Sequence, residues 1–162
     1  MKLPTDLLVT GNAYADGAPR GGWFVARFID PEHGLRCRLG RHGVFEQAQG
    51  DFELKLFSHP AGHHEAKSFP FNQTATTMSM LIGNGRFEIY FCAGGKWQHV
   101  LLQNDGDYVI WAPGVGHRWF ARQASSIFTV RCPAVDVTDQ AETPTHLIPT
   151  DLLLHWDKYV LH

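Results

Sequence analysis

Alternation of apolar and polar residues with a period of two, repeated in many short runs, constrains the fold of this chain more than any other feature. In the run 86–92, Phe87, Ile89 and Phe91 alternate with polar or amphipathic residues. The same alternation runs through segments 21–30, 34–40, 51–59 and 125–133. Because successive side chains of a strand point to opposite faces, these runs predict β-strands with two different faces.

Four further runs, at 76–83, 97–103, 107–113 and 117–123, are also typical of strands. Turn sequences separate them, for example Gly83-Asn84-Gly85, Gly94-Gly95 and Asn104-Asp105-Gly106-Asp107. Many short strands joined by glycine-rich turns are typical of a sandwich or a barrel. We therefore expect an all-β fold.

The C-terminal tail differs from the rest of the chain. Residues 149–161 contain a proline, a cap candidate at Thr150 or Asp151, and an apolar run, which together predict a short C-terminal helix. The residues expected on its buried face are Leu152, Trp156, Tyr159 and Val160. We expect this face to pack on its own β-domain or on a neighbouring subunit.

The domain boundaries follow from these patterns. We predict an N-terminal arm at residues 1–20, a single β-domain at 21–133, and a linker with the terminal helix at 134–162. A chain of 162 residues suits one domain with its own core.

Composition excludes several classes of protein. The formal net charge of −2 does not suit a polyanion, so we expect no nucleic-acid partner. The three cysteines are odd in number and lack CxxC spacing, which favours reduced thiols in a reducing compartment. No apolar stretch approaches the roughly 18 residues of a membrane span, and the apolar centre of the N-terminus is short for a signal peptide. We expect a soluble, cytoplasmic protein with no membrane partner.

The segment GDYVIWAPGVGH, residues 106–117, is the most informative motif. A turn around Gly106 precedes an apolar strand, and Pro113-Gly114 makes the next turn. Proline fixes φ and glycine accepts positive φ, so this pair suits a tight turn. His117 follows at the start of a new strand. The turn therefore delivers a single imidazole at a defined place.

This segment resembles the second sequence motif of the cupin family, which reads Gly, five residues, Pro, any residue, Gly, two residues, His, three residues, Asn. Gly106, Gly114 and His117 match it, whereas Ala112 and Ala121 replace its proline and asparagine. The resemblance implies a cupin-type double-stranded β-helix, or jelly roll, with His117 pointing into the mouth of the barrel. It also implies a homodimer, because cupins often pair through sheet edges or exchanged terminal strands.

The first cupin motif, which normally supplies a His-x-His pair and a glutamate as metal ligands, is degenerate. Anchoring it on Gly83 places Pro70, Asn72 and Thr76 at the ligand positions. The dTDP-sugar keto-isomerases and epimerases are cupin-like proteins that work without metal. The resemblance thus favours metal-independent acid–base chemistry of the isomerase, epimerase or cyclase type on a small polar metabolite. We expect His117 to be the catalytic residue and no cofactor to be needed.

Other residues are candidates for the pocket around His117. Trp111 and Trp119 could stack on a ring or sugar face. Arg131 could bind a carboxylate or phosphate if its face of the strand is the interior one. The full set of pocket candidates is His59, Asn72, Thr76, Trp111, Trp119 and Arg131.

Two alternatives remain open from the sequence. One is a metal-dependent cupin, a dioxygenase or sugar isomerase, that binds Fe, Zn, Ni or Mn through His117 with His59, His63 and His64. The other is a non-catalytic module that binds a small-molecule ligand in the barrel.

Overall fold

The computed structural model describes residues 2–16, 22–41, 44–66, 68–134 and 137–161, apart from the side chains of 46–49 and 137. Within these ranges the chain is mostly β-structure, followed by one α-helix, α1 (Thr150–Tyr159). The strands are β1 (Leu8–Asn12), β2 (Phe24–Asp30), β3 (Gly34–Arg41), β4 (Phe45–Gln49), β5 (Glu53–His59), β6 (Pro70–Asn72), β7 (Thr76–Ile82), β8 (Arg86–Ala93), β9 (Lys96–Leu102), β10 (Asp107–Trp111), β11 (Gly116–Gln123), β12 (Ser125–Cys132) and β13 (Gln140–Glu142).

Two antiparallel sheets enclose the main core. One has the strand order β1-β10-β7-β12-β5, and the other has the order β11-β8-β9. The alternating runs place Leu81 and Ile127 of the first sheet, and Phe87 and Ile89 of the second, in one buried cluster. The non-polar residues at every second position thus face inward, as the period-two pattern predicts. The all-β expectation is confirmed.

A third sheet, β2-β3-β4, covers the outer face of the five-stranded sheet. The indole of Trp23 lies 5.9 Å from the Phe128 ring and its Nε1 donates to Met80 Sδ at 3.2 Å. The free thiols of Cys37 and Cys132 lie 3.1 Å apart at the same junction. Strands β7 and β12 are therefore covered by β2-β3-β4 on their outer face. Their inward-facing side chains lie between the two main sheets, where they can line a cavity.

Helix α1 covers the outer face of the three-stranded sheet. Leu152, Trp156 and Val160 are buried there, as expected. Tyr159 is 51 % exposed, so its assignment to the buried face is wrong. The predicted cap is also wrong, because the helix begins at Thr150 with no side-chain cap. The Asp151 carboxylate instead accepts a hydrogen bond of 2.7 Å from Trp97 Nε1 on β9.

The N-terminal stretch takes part in the main sheet of its own chain. Strand β1 pairs antiparallel with β10, with Leu8 opposite Trp111 and Asn12 opposite Asp107. The predicted boundary between the arm (1–20) and the β-domain (21–133) lies in residues 17–21, which are outside the described residues. Among the helices of the described ranges, none has the length and hydropathy needed to cross a membrane.

Candidate active site

A cavity of about 240 Å³ opens into the interior between the two main sheets. Strands β5, β7, β10 and β12 of the five-stranded sheet form one wall, and β8 and β11 of the three-stranded sheet form the other. The residues that line it are Phe57, His59, Glu65, Thr77, Ser79, Phe87, Ile89, Trp111, His117, Trp119, Ile127, Thr129, Arg131 and Gln140. Aromatic side chains and a few polar groups converge in this space, which is typical of a small-molecule site.

The period-two pattern decides which side chains reach the cavity. On β12, Ile127, Thr129 and Arg131 line it, while Phe128 and Val130 lie on the face that β2-β3-β4 covers. The interior orientation of Arg131, which the sequence left open, is therefore the one found. On the adjacent strand β7, the same alternation brings two residues into the lining. They are Ser79, the cross-strand partner of Thr129, and Thr77, the cross-strand partner of Arg131.

His117 sits where the motif predicts, at the start of β11, after a turn in which Gly114 has φ of +81°. The side chain lines the cavity and is only 7 % exposed. Its Nδ1 lies 3.4 Å from the carbonyl oxygen of Val115. A carbonyl can only accept, so Nδ1 carries the proton and Nε2 has a free lone pair.

The charge state of His117 follows from its surroundings. The pKa of His117 is lowered from 6.5 to about 4, and burial is the largest cause. The positive charge of Arg131 contributes to this net lowering, while the Val115 contact and the negative charge of Glu65 act against it. At neutral pH the imidazole is therefore uncharged and can accept a proton.

A second imidazole, His59, lines the same cavity from the end of β5. It is half-buried, its ring centroid lies 4.5 Å from that of Trp119, and its Nδ1 lies 3.1 Å from Nδ1 of His63. Burial, and then the charge of His63, lower the pKa of His59. A hydrogen bond between two imidazole nitrogens needs one proton between them. The His59–His63 contact therefore contains a proton that can be transferred.

Five of the seven predicted pocket or catalytic residues line the cavity, namely His59, Trp111, His117, Trp119 and Arg131. Asn72 and Thr76 are buried but do not line it. Thr76 occupies the opposite face of β7 from its neighbour Thr77. Asn72 Nδ2 donates to Thr77 Oγ1 at 2.9 Å and so acts behind a lining residue.

Sequence reasoning missed several lining residues. The alternation on β12 places Thr129 and Ile127 on the same face as Arg131, and counting by two from Thr77 would have found Ser79. Gln140 had no such signal, because it reaches the cavity on β13 after the linker that follows the main sheets.

The four histidines of the metal-dependent alternative are not brought together. His64 contacts the Gly62 carbonyl at 3.3 Å, and its ring lies 6.2 Å from that of Phe120, on the face of β11 opposite Trp119. Within the described part of the chain, no three His, Cys, Asp or Glu side chains are arranged to bind a metal ion. The donor set does not fit a cupin metal centre.

A second polar cluster lies on the opposite face of β8, beneath helix α1. We call it the helix-side cluster; its members are Glu88, Tyr90, His99, Arg122 and His155. Glu88 is 3 % exposed and accepts from the Tyr90 hydroxyl at 3.0 Å and from Arg122 Nε at 3.1 Å. Burial alone would raise the Glu88 pKa, but hydrogen bonds from His99, Arg122 and Tyr90 hold it well below its usual range.

Comparison of the sequence with known proteins gives no match. No protein-family model and no curated protein matches this chain.

Comparison with solved structures, in contrast, finds many similar folds. A double mutant of the QdtA 3,4-ketoisomerase from Thermoanaerobacterium thermosaccharolyticum, in complex with TDP, matches with a TM-score of 0.54 and 9 % identity over 87 % of this chain and 91 % of that chain. The WlaRB TDP-quinovose 3,4-ketoisomerase from Campylobacter jejuni matches with a TM-score of 0.54 and 7 % identity, covering 74 % and 88 % of the two chains.

A third match is the ChmJ 3'-monoepimerase from Streptomyces bikiniensis in complex with dTDP-quinovose. Its TM-score is 0.54 at 10 % identity, over 77 % of this chain and 71 % of that chain. At such low identity these likenesses concern the arrangement of strands. The chain has the all-β, cupin-type double-stranded β-helix that the motif at 106–117 implies, with a short C-terminal helix.

Proposed function

We propose that the protein is an isomerase or epimerase that moves a proton on a small sugar-like carbonyl compound, with His117 as the catalytic base and no metal in the reaction. The observation that carries this proposal is a buried, uncharged imidazole in a cavity of about 240 Å³. An uncharged imidazole whose Nδ1–H faces a backbone carbonyl presents Nε2 as a proton acceptor.

The chemistry needs only proton transfers. His117 Nε2 takes the proton from a carbon that lies beside the substrate carbonyl, and the carbonyl oxygen gains a proton, which gives an enediol. Return of a proton to the same carbon from the other side, with loss of the proton from the former carbonyl oxygen, restores the carbonyl and inverts that carbon, which is epimerisation. Return of a proton to the former carbonyl carbon, with loss of the neighbouring hydroxyl proton, moves the ketone along the chain. Atoms and electrons balance in both cases without a redox partner.

His59 supplies a second proton-transfer group. It lines the same cavity, and its contact with His63 gives it a route to exchange protons with solvent, because His63 is exposed. We assign to the His59–His63 pair the proton that the carbonyl oxygen takes up. The rings of Trp111 and Trp119 form cavity walls on which a sugar face can stack.

Structural similarity supports the reaction class. The chains named above include two sugar 3,4-ketoisomerases and an epimerase, solved with TDP or a dTDP-sugar in two of the three cases. These reactions are proton transfers beside a carbonyl, so the same class of chemistry suits a barrel of the same fold. The homodimer and the cytoplasmic location stay predictions from the sequence and its resemblance.

Solvent deuterium exchange tests this proposal. The protein is incubated in D₂O with a panel of keto-sugars, among them TDP-4-keto-6-deoxyglucose, free hexuloses and keto-hexonates, and deuterium uptake at carbon is followed by ¹H NMR. We expect enzyme-dependent uptake on at least one compound. His117→Gln should slow it by at least about 100-fold, the lower end of the contribution of a general base.

His64→Gln is the matched control, because His64 is a neighbouring histidine outside the cavity lining. It should leave the exchange rate unchanged. Binding of a panel compound without any exchange would support the non-catalytic binding module and overturn the proposal. Full exchange in a folded His117→Gln variant would overturn the role of His117.

A further inference from the structure

The charge around Arg131 is unbalanced at one end of the cavity. Arg131 Nη1 donates to Glu53 Oε1 at 3.4 Å, the outer limit of a hydrogen bond. The same Glu53 oxygen lies 3.0 Å from Lys55 Nζ. One carboxylate therefore faces two cations and is closer to Lys55. The group keeps a net positive charge that an anion in the cavity could balance.

Hydrogen-bond donors at this end also lack partners. Arg131 Nε is buried and has no hydrogen-bond partner among the described residues. Trp111 lines the cavity and is 4 % exposed. Its Nε1–H also has no hydrogen-bond partner among the described residues. Buried donors without partners are costly and are retained where a ligand satisfies them. An oxyanion in the cavity would give both donors an acceptor.

A third donor is prepared by its neighbour. Asn72 Nδ2 donates to Thr77 Oγ1, so the hydroxyl proton of Thr77 is left for another acceptor. Thr77 is the cross-strand partner of Arg131 and lines the cavity. The guanidinium and this hydroxyl can thus bind the same anionic group.

Size and charge limit that anion. A volume of about 240 Å³ lies below the roughly 300–1,000 Å³ of pockets that hold drug-sized ligands. Among the described lining residues, Arg131 is the sole arginine or lysine, and Glu65 adds a carboxylate to the same lining. This lining suits one negative charge and disfavours the several charges of a diphosphate.

We propose that the substrate is a free monosaccharide-sized sugar acid with a keto or aldehyde group, whose carboxylate binds Arg131 and Thr77, and that it is not a nucleotide-linked sugar. This inference rests on the proposed function, since it places the carbonyl of the same acid near His117. It differs from the TDP and dTDP-quinovose found with two of the structurally similar chains. The carboxylate at Arg131 would also orient the carbon chain toward the base, whose pKa responds to the Arg131 charge.

Paired ligands provide the test. A panel of hexuronates and keto-hexonates is compared with the matching neutral hexoses, and with TDP, by isothermal titration calorimetry at neutral pH and moderate salt. We expect at least one acid to bind at least 10-fold more tightly than its neutral counterpart and than TDP. Arg131→Gln should remove that preference and leave the affinity for the neutral hexose unchanged.

Glu53→Gln is the informative control. It breaks the contact between Glu53 and Arg131 but keeps the guanidinium, so acid binding should be retained or strengthened. A purely structural role for Arg131 would give the same defect in both variants. The inference is overturned if no acid is preferred over its neutral counterpart, if TDP binds more tightly, or if Arg131→Gln keeps the preference. Carboxylate-dependent binding without deuterium exchange at carbon would instead sink the catalytic proposal alone.

Discussion

The two faces of the three-stranded sheet β11-β8-β9 carry polar groups in opposite states. On the outer face, Glu88 is surrounded by donors, with Arg86 Nε at 3.4 Å and His99 Nε2 at 3.5 Å in addition to Tyr90 and Arg122. On the inner face, His117 has one long contact with a backbone carbonyl, and nearby Trp111 Nε1 has no described partner. A saturated cluster stabilises the fold, whereas an unsaturated one is available to a ligand.

The helix-side cluster also fastens helix α1 to the sheet. Arg122 Nη2 donates to the Tyr159 carbonyl at 2.9 Å, and the His155 ring contacts the Tyr90 hydroxyl at 3.2 Å. Each of these residues thus links Glu88, directly or through one neighbour, to the C-terminal helix. On the cavity side of the same sheet, the His117 side chain makes a 3.4 Å contact with the Val115 carbonyl oxygen, and its Nε2 stays available to an incoming molecule.

Acid pH should lower the free energy of unfolding through His117, on the cavity side of the sheet. The His117 pKa is about 4 in the folded chain and 6.5 ordinarily, so the unfolded chain binds more protons between these pH values. The free energy of unfolding therefore falls as pH decreases from 6.5 to 4, and this histidine accounts for about 3 kcal/mol of the loss. Urea unfolding of the native chain and His117→Gln across this range measures it. The variant should lose about 3 kcal/mol less than the native chain.

The contributions of other histidines cancel when the unfolding free energies of the native chain and His117→Gln are compared. His59 and His155 also have lowered pKa values, caused first by burial, and both variants contain them. Replacing the exposed His146 by Gln should leave the pH dependence as it is in the native chain. Equal slopes in the native chain and His117→Gln would contradict the buried, neutral state of His117.

The outer face should respond to loss of its central charge at neutral pH. Glu88→Gln keeps the shape but leaves Arg122 and its neighbours without their carboxylate, and we expect about 2 kcal/mol of lost stability at pH 7. The partners are partly exposed, which keeps the effect below that of a fully buried pair. Urea unfolding gives the value, and far-UV circular dichroism reports loosening of α1.

The pH window separates this effect from that of His117. The Glu88 pKa lies below its usual 4.5, so its contribution is complete above that pH and is lost as pH falls through the folded value. The difference between the native chain and Glu88→Gln should not shrink between pH 7 and about 4.5, because the Glu88 charge also raises the pKa of His155, and it should shrink below that pH. Glu32→Gln, at an exposed turn, serves as the control and should change stability little. A difference that already shrinks between pH 6.5 and 5 would argue against this account.

The sequence predicts the inner face better than the outer one. Alternation of apolar residues and the Pro113-Gly114 turn are local signals, and they are enough to place His117 and the inward phenylalanines. The same alternation marks Glu88 and Tyr90 as outward residues, and they are. Their burial depends on a helix some sixty residues later in the chain, which no local pattern reveals.

Motif register explains the errors at Asn72 and Thr76. A degenerate motif fixes positions by counting from one glycine, and a shift of one residue moves a strand residue to the opposite face. Thr77, one position further, is the residue that lines the cavity. The Glu53–Lys55–Arg131 group follows from the pairing of β5 with β12, and the His59–His63 contact follows from the turn after β5, so neither could be read from spacing.

The hydroxyls of Ser79 and Thr129 in the cavity wall should give the smallest change in stability. They test most directly whether the cavity side differs from the helix-side cluster. Ser79 and Thr129 face each other across β7 and β12, with their hydroxyl oxygens 3.0 Å apart in the cavity wall. Replacing both at once, Ser79→Ala with Thr129→Val, removes donor and acceptor together and keeps most of the volume. The free energy of unfolding should then change by less than about 0.5 kcal/mol, or rise.

Ligand binding should respond in the opposite way to the same double variant. A monosaccharide acid in the cavity would lose one or two hydrogen bonds, and each is worth about 1 kcal/mol, or roughly 5-fold in affinity. Titration calorimetry with the acid preferred by the native chain measures this loss beside the urea midpoint. If stability fell by more than about 2 kcal/mol while affinity held, these hydroxyls would serve the scaffold. This part of the cavity wall would then be as fully hydrogen-bonded as Glu88 in the helix-side cluster.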